Sequence, residues 1–317
     1  MRMNRSTILL TVALFSLLSC HRDEEAGPSL ISVVPSVDVG IGTRALVSGS
    51  VFPSDRSIVL SSVSEDISGR TQTLFAGETF RNTGDRFWQG TALWPGNEKV
   101  SILGYSGEGV ENVRWDKDDP TAGIEMDVPD NSTRQEDLLV GCVDDNPRMP
   151  WVEMKMRHVF SLLTFSAQSD SDYDPVRNAG ISIISVSVSN VSFGGHLSVR
   201  REGAGLDVVW SEITGGAKRD IGGISEKELY TFETEHLGEP LLIVPSEQKA
   251  IIIRYRYHFG FDEAGNPLNQ DVEYVVTPQD SWLSGSCTNY LIRITAKEVT
   301  LVPRIVPWET EWRNVEI

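Results

Sequence analysis

Few residues in this sequence have the types and spacing that catalysis requires. Residues 104–109 (Gly-Tyr-Ser-Gly-Glu-Gly) place a serine among glycines, but the sharp turn that presents a nucleophilic serine needs glycine where Glu108 stands. Cys142 follows a glycine and is a possible nucleophile, yet no histidine lies nearby in the sequence to activate its thiol. We therefore interpret residues 104–109 as a turn after a strand and Cys142 as a small buried residue. The sequence predicts no catalytic residues.

Metal ligands are equally sparse. Residues 116–120 (Asp-Lys-Asp-Asp-Pro) look like the start of a calcium loop, but an EF-hand needs glycine at its sixth position, which is Thr121 here. His158 lies on the apolar side of a predicted strand, where a single histidine is more often a hydrogen-bonded core residue than a ligand. The sequence thus predicts no metal site and no cofactor.

The start of the chain has the pattern of an export signal. Arg2 and Arg5 precede an apolar run at residues 8–15 that is too short to span a bilayer, and Leu-Leu-Ser19 then leads to Cys20. A positive start, a short apolar stretch and a small residue before the break are typical of a secretory signal peptide, here residues 1–19.

A cysteine directly after Leu-Leu-Ser resembles the bacterial lipoprotein box. The resemblance implies cleavage after Ser19 and diacylglycerol on the thiol of Cys20. Stable anchoring needs several acyl chains, because each buried CH₂ contributes only about 0.8 kcal/mol. The acids at 23–25 resemble the tether that sends some Gram-negative lipoproteins to the outer face of the outer membrane. The alternatives are a plain signal peptide with an incidental cysteine, and acids that form only a solvated spacer.

Composition narrows the class of protein. The 317 residues are 40% hydrophobic and 23% charged, which is typical of a globular chain with room for two domains. A net charge of -17 repels phosphate backbones and so argues against nucleic acid as a partner. Apart from Cys20, Cys142 and Cys287 are far apart in sequence; a disulfide is open, and we favour two free, buried thiols.

Alternation of apolar and polar residues dominates the rest of the chain. Residues 251–261 place isoleucine, tyrosine and phenylalanine on one side and Arg254, Arg256 and His258 on the other, which predicts a strand with one face on a core. A turn cluster at 262–267 and an apolar return at 272–276 predict a hairpin. Further strands are predicted at 152–160, 184–188, 290–296, 100–103 and 58–60, with a bulge after Asn190.

No segment beyond the signal shows a sustained helical face, so the sequence predicts an all-β chain of antiparallel sandwiches. Residues 144–150 are the best candidate for a junction. The predicted organisation is a tether with a first strand at 20–44, an N-terminal sandwich at 45–150 and a C-terminal sandwich at 151–317.

Several segments, in their order along the chain, resemble the fimbrillin family of Gram-negative pilus subunits and accessory lipoproteins. The first is a Thr-Arg-Ala processing site at Arg44 and Ala45, and the second a Tyr-Trp-Pro box around Trp88 and Trp94. The others are a Gln-x-Asp-Leu-Leu element at 135–139, a histidine-containing strand at 157–165 and a Leu-Ile-Pro-Gln element at 241–247. Gly104 and the lack of a phenylalanine before the histidine element depart from the family pattern.

The resemblance implies two transthyretin-like sandwiches in tandem and assembly by β-strand exchange with other pilus subunits. A protease would cut between Arg44 and Ala45 and release a first strand such as residues 30–34. A donor strand within 302–317, where Val306, Trp308 and Trp312 share a parity, would fill the vacated groove of the next subunit. The alternatives are an Arg44 that is never cut and tryptophans that close the second sandwich's own core.

The resemblance therefore favours a structural or adhesive subunit of a cell-surface fimbrium with no catalysis. The second hypothesis is an uncleaved outer-membrane lipoprotein that anchors a pilus or binds a host protein or a glycan through exposed tryptophans. A secreted hydrolase is a third and weaker hypothesis.

Overall fold

The computed structural model describes residues 29–37, 52–95, 98–145, 151–203, 205–213, 216–245, 249–295 and 298–305. The predicted signal peptide and several of the predicted site residues lie outside these ranges: Ser19, Cys20, Arg44, Ala45, Val306, Trp308 and Trp312.

The described chain is built from twenty strands and contains no helix, so the all-β prediction is confirmed, and no helix there could cross a membrane. In chain order the strands are β1 Leu30–Val37, β2 Ile58–Glu65, β3 Thr71–Asn82, β4 Trp88–Leu93, β5 Lys99–Ser106, β6 Glu111–Trp115, β7 Gly123–Val128, β8 Leu139–Asp145, β9 Trp151–His158, β10 Ser161–Ser169, β11 Ala179–Val191, β12 Gly195–Glu202, β13 Gly205–Ser211, β14 Ala217–Asp220, β15 Lys227–Glu228, β16 Glu235–Ile243, β17 Ala250–Phe261, β18 Pro267–Val276, β19 Cys287–Ile294 and β20 Val299–Ile305.

The first core lies inside a sheet that closes on itself in the order β1-β4-β3-β2-β5-β8-β9, with β9 pairing back to β1. A second sheet, β13-β12-β7-β6, packs on it. Ile124 of β7 and Leu197 of β12 belong to the same buried cluster as Ile58 and Ile102 of the closed sheet. Apolar side chains on one parity of each strand explain this packing.

The second core lies between the sheets β16-β10-β19-β20 and β14-β11-β17-β18, with the short β15 pairing β11. Phe165, Ile253 and Tyr290 are among its fully buried members. The hydroxyl of Tyr290 accepts a hydrogen bond from Nε1 of Trp282 at 2.7 Å, which satisfies the indole in an apolar interior.

The two cores do not divide the chain at residue 150. Strand β9 follows that position but completes the first sheet, and the hairpin of β12 and β13 pairs with β7 at Leu197↔Met126. The hairpin therefore returns from the C-terminal half of the chain to the first core. The boundary at residue 150 remains a prediction of where one independently folding unit ends and the next begins.

Most of the predicted strands are present in the structure. Strands β17 and β18 form the predicted hairpin, whose turn is held by Asp262: its Oδ1 accepts the N–H groups of Ala264 and Asn266 at 2.9 and 2.8 Å. The predicted bulge is also present, because the register of β11 against β14 shifts between Ser189 and Val191, where Asn190 has a φ of 58°.

Two details of the prediction were wrong. The core-facing side of β17 ends at Tyr257, since Phe259 and Phe261 are 55% and 46% exposed beyond the edge of the core. Of the two thiols, both are free, but only Cys287 is buried and Cys142 is half-buried.

Candidate functional site

Strand β1 is the element on which the family resemblance places function, and it is fully integrated into the first sheet. It pairs antiparallel with β4 through Leu30↔Leu93 and Val33↔Trp88, and parallel with β9 from Ser32↔Trp151 to Val37↔Met156. Its backbone therefore has sheet partners on both sides. Without β1, the facing edges of β4 and β9 would be left unpaired.

The side chains of β1 alternate between core and surface. Ile31, Val33, Pro35 and Val37 are buried on the inner face, and Ile31 and Val33 are completely inaccessible. Leu30 at the start is 40% exposed. Pro35 lies beyond the part of β1 that pairs with β4 and opposite Met154 of β9. The strand thus inserts a row of apolar side chains into the core.

The walls around β1 explain why the Tyr-Trp-Pro-like box matters for the fold. Trp88 of β4 is buried, packs edge-to-face on Phe52 at 5.3 Å and donates its Nε1–H to the carbonyl of Arg56 at 2.9 Å. The amide of Gln89 donates to Oγ of Ser32 at 2.7 Å, which fixes the register of β1 on β4. These contacts fix the position and the register of β1 in the sheet.

The Gln-x-Asp-Leu-Leu element lies at the junction of the two cores. Its contacts were not predicted from the sequence. Oδ2 of Asp137 lies 2.8 Å from Nδ1 of His158, with both side chains buried. The prediction of a hydrogen-bonded core histidine is confirmed. The carbonyl of Asp137 accepts a hydrogen bond from Arg56 at 3.0 Å, so the same residue also ties down the segment that supports Trp88.

Gln135 connects this loop to the backbone of β16, a strand of the second sandwich. Its side-chain oxygen accepts the N–H of Leu242 in β16 at 2.6 Å, and its Nε2 donates to the Leu242 carbonyl at 3.3 Å. The side-chain amide therefore imitates a neighbouring strand. Gln135 itself has a φ of 53°, and the loop is closed by Asn131, whose Nδ2 donates to the carbonyl of Glu136 at 2.7 Å. The order Gln-x-Asp was the only sequence signal for this joint.

A partly buried arginine fastens the two sheets of the first core. Arg201 of β12 forms an ion pair with Asp144 of β8 and donates from Nη2 to the carbonyl of Ile102 in β5 at 2.9 Å. Burial raises the pKa of the Asp144 carboxyl, but a hydrogen bond from Ser101 and the charge of Arg201 outweigh it and hold that pKa below its usual value. The hairpin of β12 and β13 is thereby held on the closed sheet.

The predicted donor segment begins at the edge of the second sandwich. Strand β20 pairs with β19 from Thr288↔Ile305 to Ile294↔Val299 and is the last strand of its sheet. Val302, the first residue of the predicted donor segment, is 37% exposed. The parity residues Val306, Trp308 and Trp312 follow beyond the described residues.

The chemical candidates from the sequence occupy structural positions. Residues 104–106 end β5, and Asp116 accepts the N–H groups of Asp118 and Asp119 at 2.9 and 3.0 Å in a surface turn. Within the described ranges, no group of three or more His, Cys, Asp or Glu side chains could hold a metal ion. A cavity of about 430 Å³ beside the 128–138 loop is lined by Glu108, Arg134 and Phe160 among others.

The tryptophans give little support to glycan binding. Of the six in the described ranges, Trp88 and Trp282 are buried and the other four (Trp94, Trp115, Trp151 and Trp210) are half-buried. The rings of five of them pack on other aromatic residues, for example Trp210 on Phe160 with 5.3 Å between the ring centroids. Most of the ring contacts of these tryptophans are therefore made inside the protein.

Comparison with known proteins identifies the architecture. No family model and no curated protein sequence matches the chain. Among solved structures, a fimbrial protein from Bacteroides vulgatus superposes with a TM-score of 0.61 at 12% identity, over 87% of this chain and 99% of that one. A candidate cell adhesion protein from Bacteroides ovatus gives 0.52 at 12% identity, over 90% and 99%. The chain therefore has a fold similar to that of these two structures, and the expected resemblance to fimbrial proteins is confirmed at the level of the fold.

Proposed function

We propose that this protein is a structural or adhesive component of a cell-surface fimbrium, exported as a lipoprotein through Cys20 and joined to its neighbours by strand exchange. In this proposal β1 is the strand that leaves after cleavage between Arg44 and Ala45. The strand that enters the next subunit lies within residues 302–317, beyond the part of β20 that pairs with β19. The proposal includes no catalysis, and its location is the outer membrane and the fimbrium.

The observation that carries the proposal is the position of β1 between β4 and β9. A strand at the edge of a sheet has one hydrogen-bonded neighbour, so its loss breaks fewer hydrogen bonds than the loss of an inner strand. Here its removal would open a slot with hydrogen-bonding edges on both sides and an apolar floor, which is the geometry that a donated strand fills. Arg44 follows β1 by seven residues, so one cut separates β1 from the rest of the sheet.

The energetics favour an exchange over a simple loss. Burial of each of the side chains of Ile31, Val33 and Val37 contributes about 1.5–3 kcal/mol relative to exposure. A chain that lost them without replacement would lose much of a typical domain's stability of about 5–15 kcal/mol. An incoming strand with apolar residues on one parity restores both the burial and the sheet hydrogen bonds.

The donor is proposed from the end of the chain. One face of an extended strand at this end of the chain would carry Val306, Trp308 and Trp312, just as one face of β1 carries its buried side chains. These large side chains would occupy the core positions that β1 vacates. Strand β20 carries this segment to the edge of the second sandwich, from which it can continue into another subunit.

The proposal is tested by sequencing the mature N-terminus of the protein sheared from intact cells. Strand exchange requires material that begins at Ala45 and runs as a heat-sensitive ladder of oligomers. Material that begins at Cys20 and runs as a monomer would contradict subunit assembly and identify an uncleaved lipoprotein, the second hypothesis.

A further inference from the structure

Three loops meet at one end of the second sandwich, and we call them the loop end: residues 172–178, 229–234 and 259–268. The first and third loops are joined through Asn178. Its Nδ2 donates to the carbonyl of Gly260 at 2.6 Å, and its own carbonyl accepts the N–H of Gly260 at 2.7 Å. The hairpin tip is therefore fixed against the 172–178 loop.

The second loop is joined to the first by a similar set of bonds. The N–H of Tyr173 donates to the carbonyl of Leu229 at 3.2 Å, and the N–H of Thr231 donates to Oδ1 of Asp172 at 2.8 Å. The ring of Tyr173 packs edge-to-face on His258 at 5.0 Å. These contacts make the loop end a preformed surface, which lowers the entropic cost of binding a partner.

This preformed surface carries large apolar side chains that point into solvent. Phe232 is 94% exposed and Val176 is 85% exposed, values that are unusual for residues of this size. The other exposed apolar residues of the three loops are Phe259, Phe261 and Leu268. The proposed strand exchange does not use these residues, because β1 and the gap it would leave between β4 and β9 belong to the first core.

The same loops are strongly acidic. They contain five carboxylates, listed as Asp172, Asp174, Glu233, Asp262 and Glu263, and one cationic side chain, Arg177, which lies 3.5 Å from Asp174. Hydrogen bonds from Thr231 lower the pKa of Asp172, and bonds from Asn266 lower that of Asp262, so both are charged at neutral pH. Exposed apolar anchors therefore lie among fixed negative charges.

We propose that the loop end is a docking surface for a segment of a partner protein that presents Lys or Arg side chains next to apolar ones. Opposite charges at the rim would steer and orient the segment, and the exposed aromatic residues would anchor it. A second copy of this chain is a poor occupant because its net charge is -17. An anionic membrane surface is repelled for the same reason.

The test uses the full mature chain and three synthetic twelve-residue peptides: alternating Arg and Leu, alternating Glu and Leu, and alternating Arg and Ser. The Arg–Leu peptide is expected to bind at one site, and its affinity is expected to fall as salt is raised. The double variant Phe232→Ser with Phe261→Ser should weaken binding at least about tenfold, since each loses a large apolar contact. The double variant Glu233→Gln with Glu263→Gln should weaken binding of the Arg–Leu peptide and make its affinity less dependent on salt concentration.

Matched controls lie elsewhere on the surface. Ile67→Ser removes a fully exposed apolar side chain from the turn between β2 and β3, and Glu108→Gln with Glu202→Gln removes two exposed charges outside the loop end. Both should leave peptide affinity unchanged. Equal binding of the Glu–Leu peptide, an unchanged affinity of the Phe232 and Phe261 variant, or an equal loss in the controls would overturn the inference. All variants should still form the oligomer ladder, so failure here is distinguishable from failure of strand exchange.

Discussion

Oδ2 of Asp137 and Nδ1 of His158 are 2.8 Å apart in the joint between the two cores, with side-chain exposures of 0% and 1%. The pair connects the loop after β7 to the last residue of β9, the strand against which β1 lies. We therefore expect it to stabilise the wall of the β1 slot as well as the joint.

Asp137→Ala or His158→Leu should destabilise the chain by about 3–5 kcal/mol, because either change leaves a buried polar partner unsatisfied. Urea unfolding of the full chain measures the loss. The matched control is the Asp127–His196 pair, which also has a separation of 2.8 Å but is 44% and 26% exposed. Asp127→Ala should cost much less, since exposed pairs contribute little. Equal losses at the two pairs would refute the role of burial.

Ile31→Ala should lower the free energy of unfolding of the uncut chain by about 2–5 kcal/mol, because Ile31 is completely buried. Leu30→Ala, next to it and 40% exposed, is the control and should have a small effect. After cleavage at Arg44 and assembly into oligomers, the two variants should be equally stable, since β1 is no longer present. A difference that persisted in the oligomer would mean that β1 stays in place.

The two free thiols should differ in reactivity. Burial raises the pKa of the Cys287 thiol to about 12 and raises that of half-buried Cys142 as well. Alkylation of the native protein at pH 8 should therefore be slow and confined to Cys142, with Cys287 reacting only in denaturant. Mass spectrometry locates the label, and Cys142→Ser should abolish labelling of the native state. Rapid native labelling of Cys287 would contradict the packing of β19.

The turn of the β17–β18 hairpin should depend on pH through Asp262. A side-chain hydrogen bond from Asn266 and backbone bonds lower the folded-state pKa of Asp262 below 3.8. A lowered folded pKa contributes stability above the unfolded value that is lost as the pH falls through the folded value. The melting-temperature difference between wild type and Asp262→Ala should therefore be largest above pH 4 and shrink below it. Glu263→Ala is the control, and a difference that grew in acid would be contrary to this account.

Local pattern predicted the individual strands well, and topology was the part that it missed. Period-two alternation identified β17 and β9, and the parity change at Asn190 identified the bulge, because both depend on neighbouring residues. The parallel pairing of β1 with β9 joins segments more than a hundred residues apart and leaves no periodic trace.

The same limit applies to the contacts that matter most at the site. The pairing of Asp137 with His158 and of Gln135 with Leu242 depends on how two cores meet, which no single strand records. Phe259 and Phe261 continued the apolar parity of β17 beyond the core, so their exposure reflects where the opposite sheet ends. The order of the family-like elements along the chain therefore predicted the fold better than the chemistry of their side chains did.

The most direct measurement is an assembly assay on a variant in which a reducible disulfide holds β1 on β4. Ser32 and Gln89 are register partners on β1 and β4, and Ser32→Cys with Gln89→Cys, in a chain with Cys142 and Cys287 replaced by serine, allows a disulfide between them. Ser198→Cys with Val209→Cys, across β12 and β13, is the matched control. After proteolysis at Arg44, the oxidised Ser32–Gln89 variant should remain monomeric and form the heat-sensitive ladder only on reduction, whereas the control should form it in both states. A ladder from the oxidised Ser32–Gln89 variant would contradict the departure of β1.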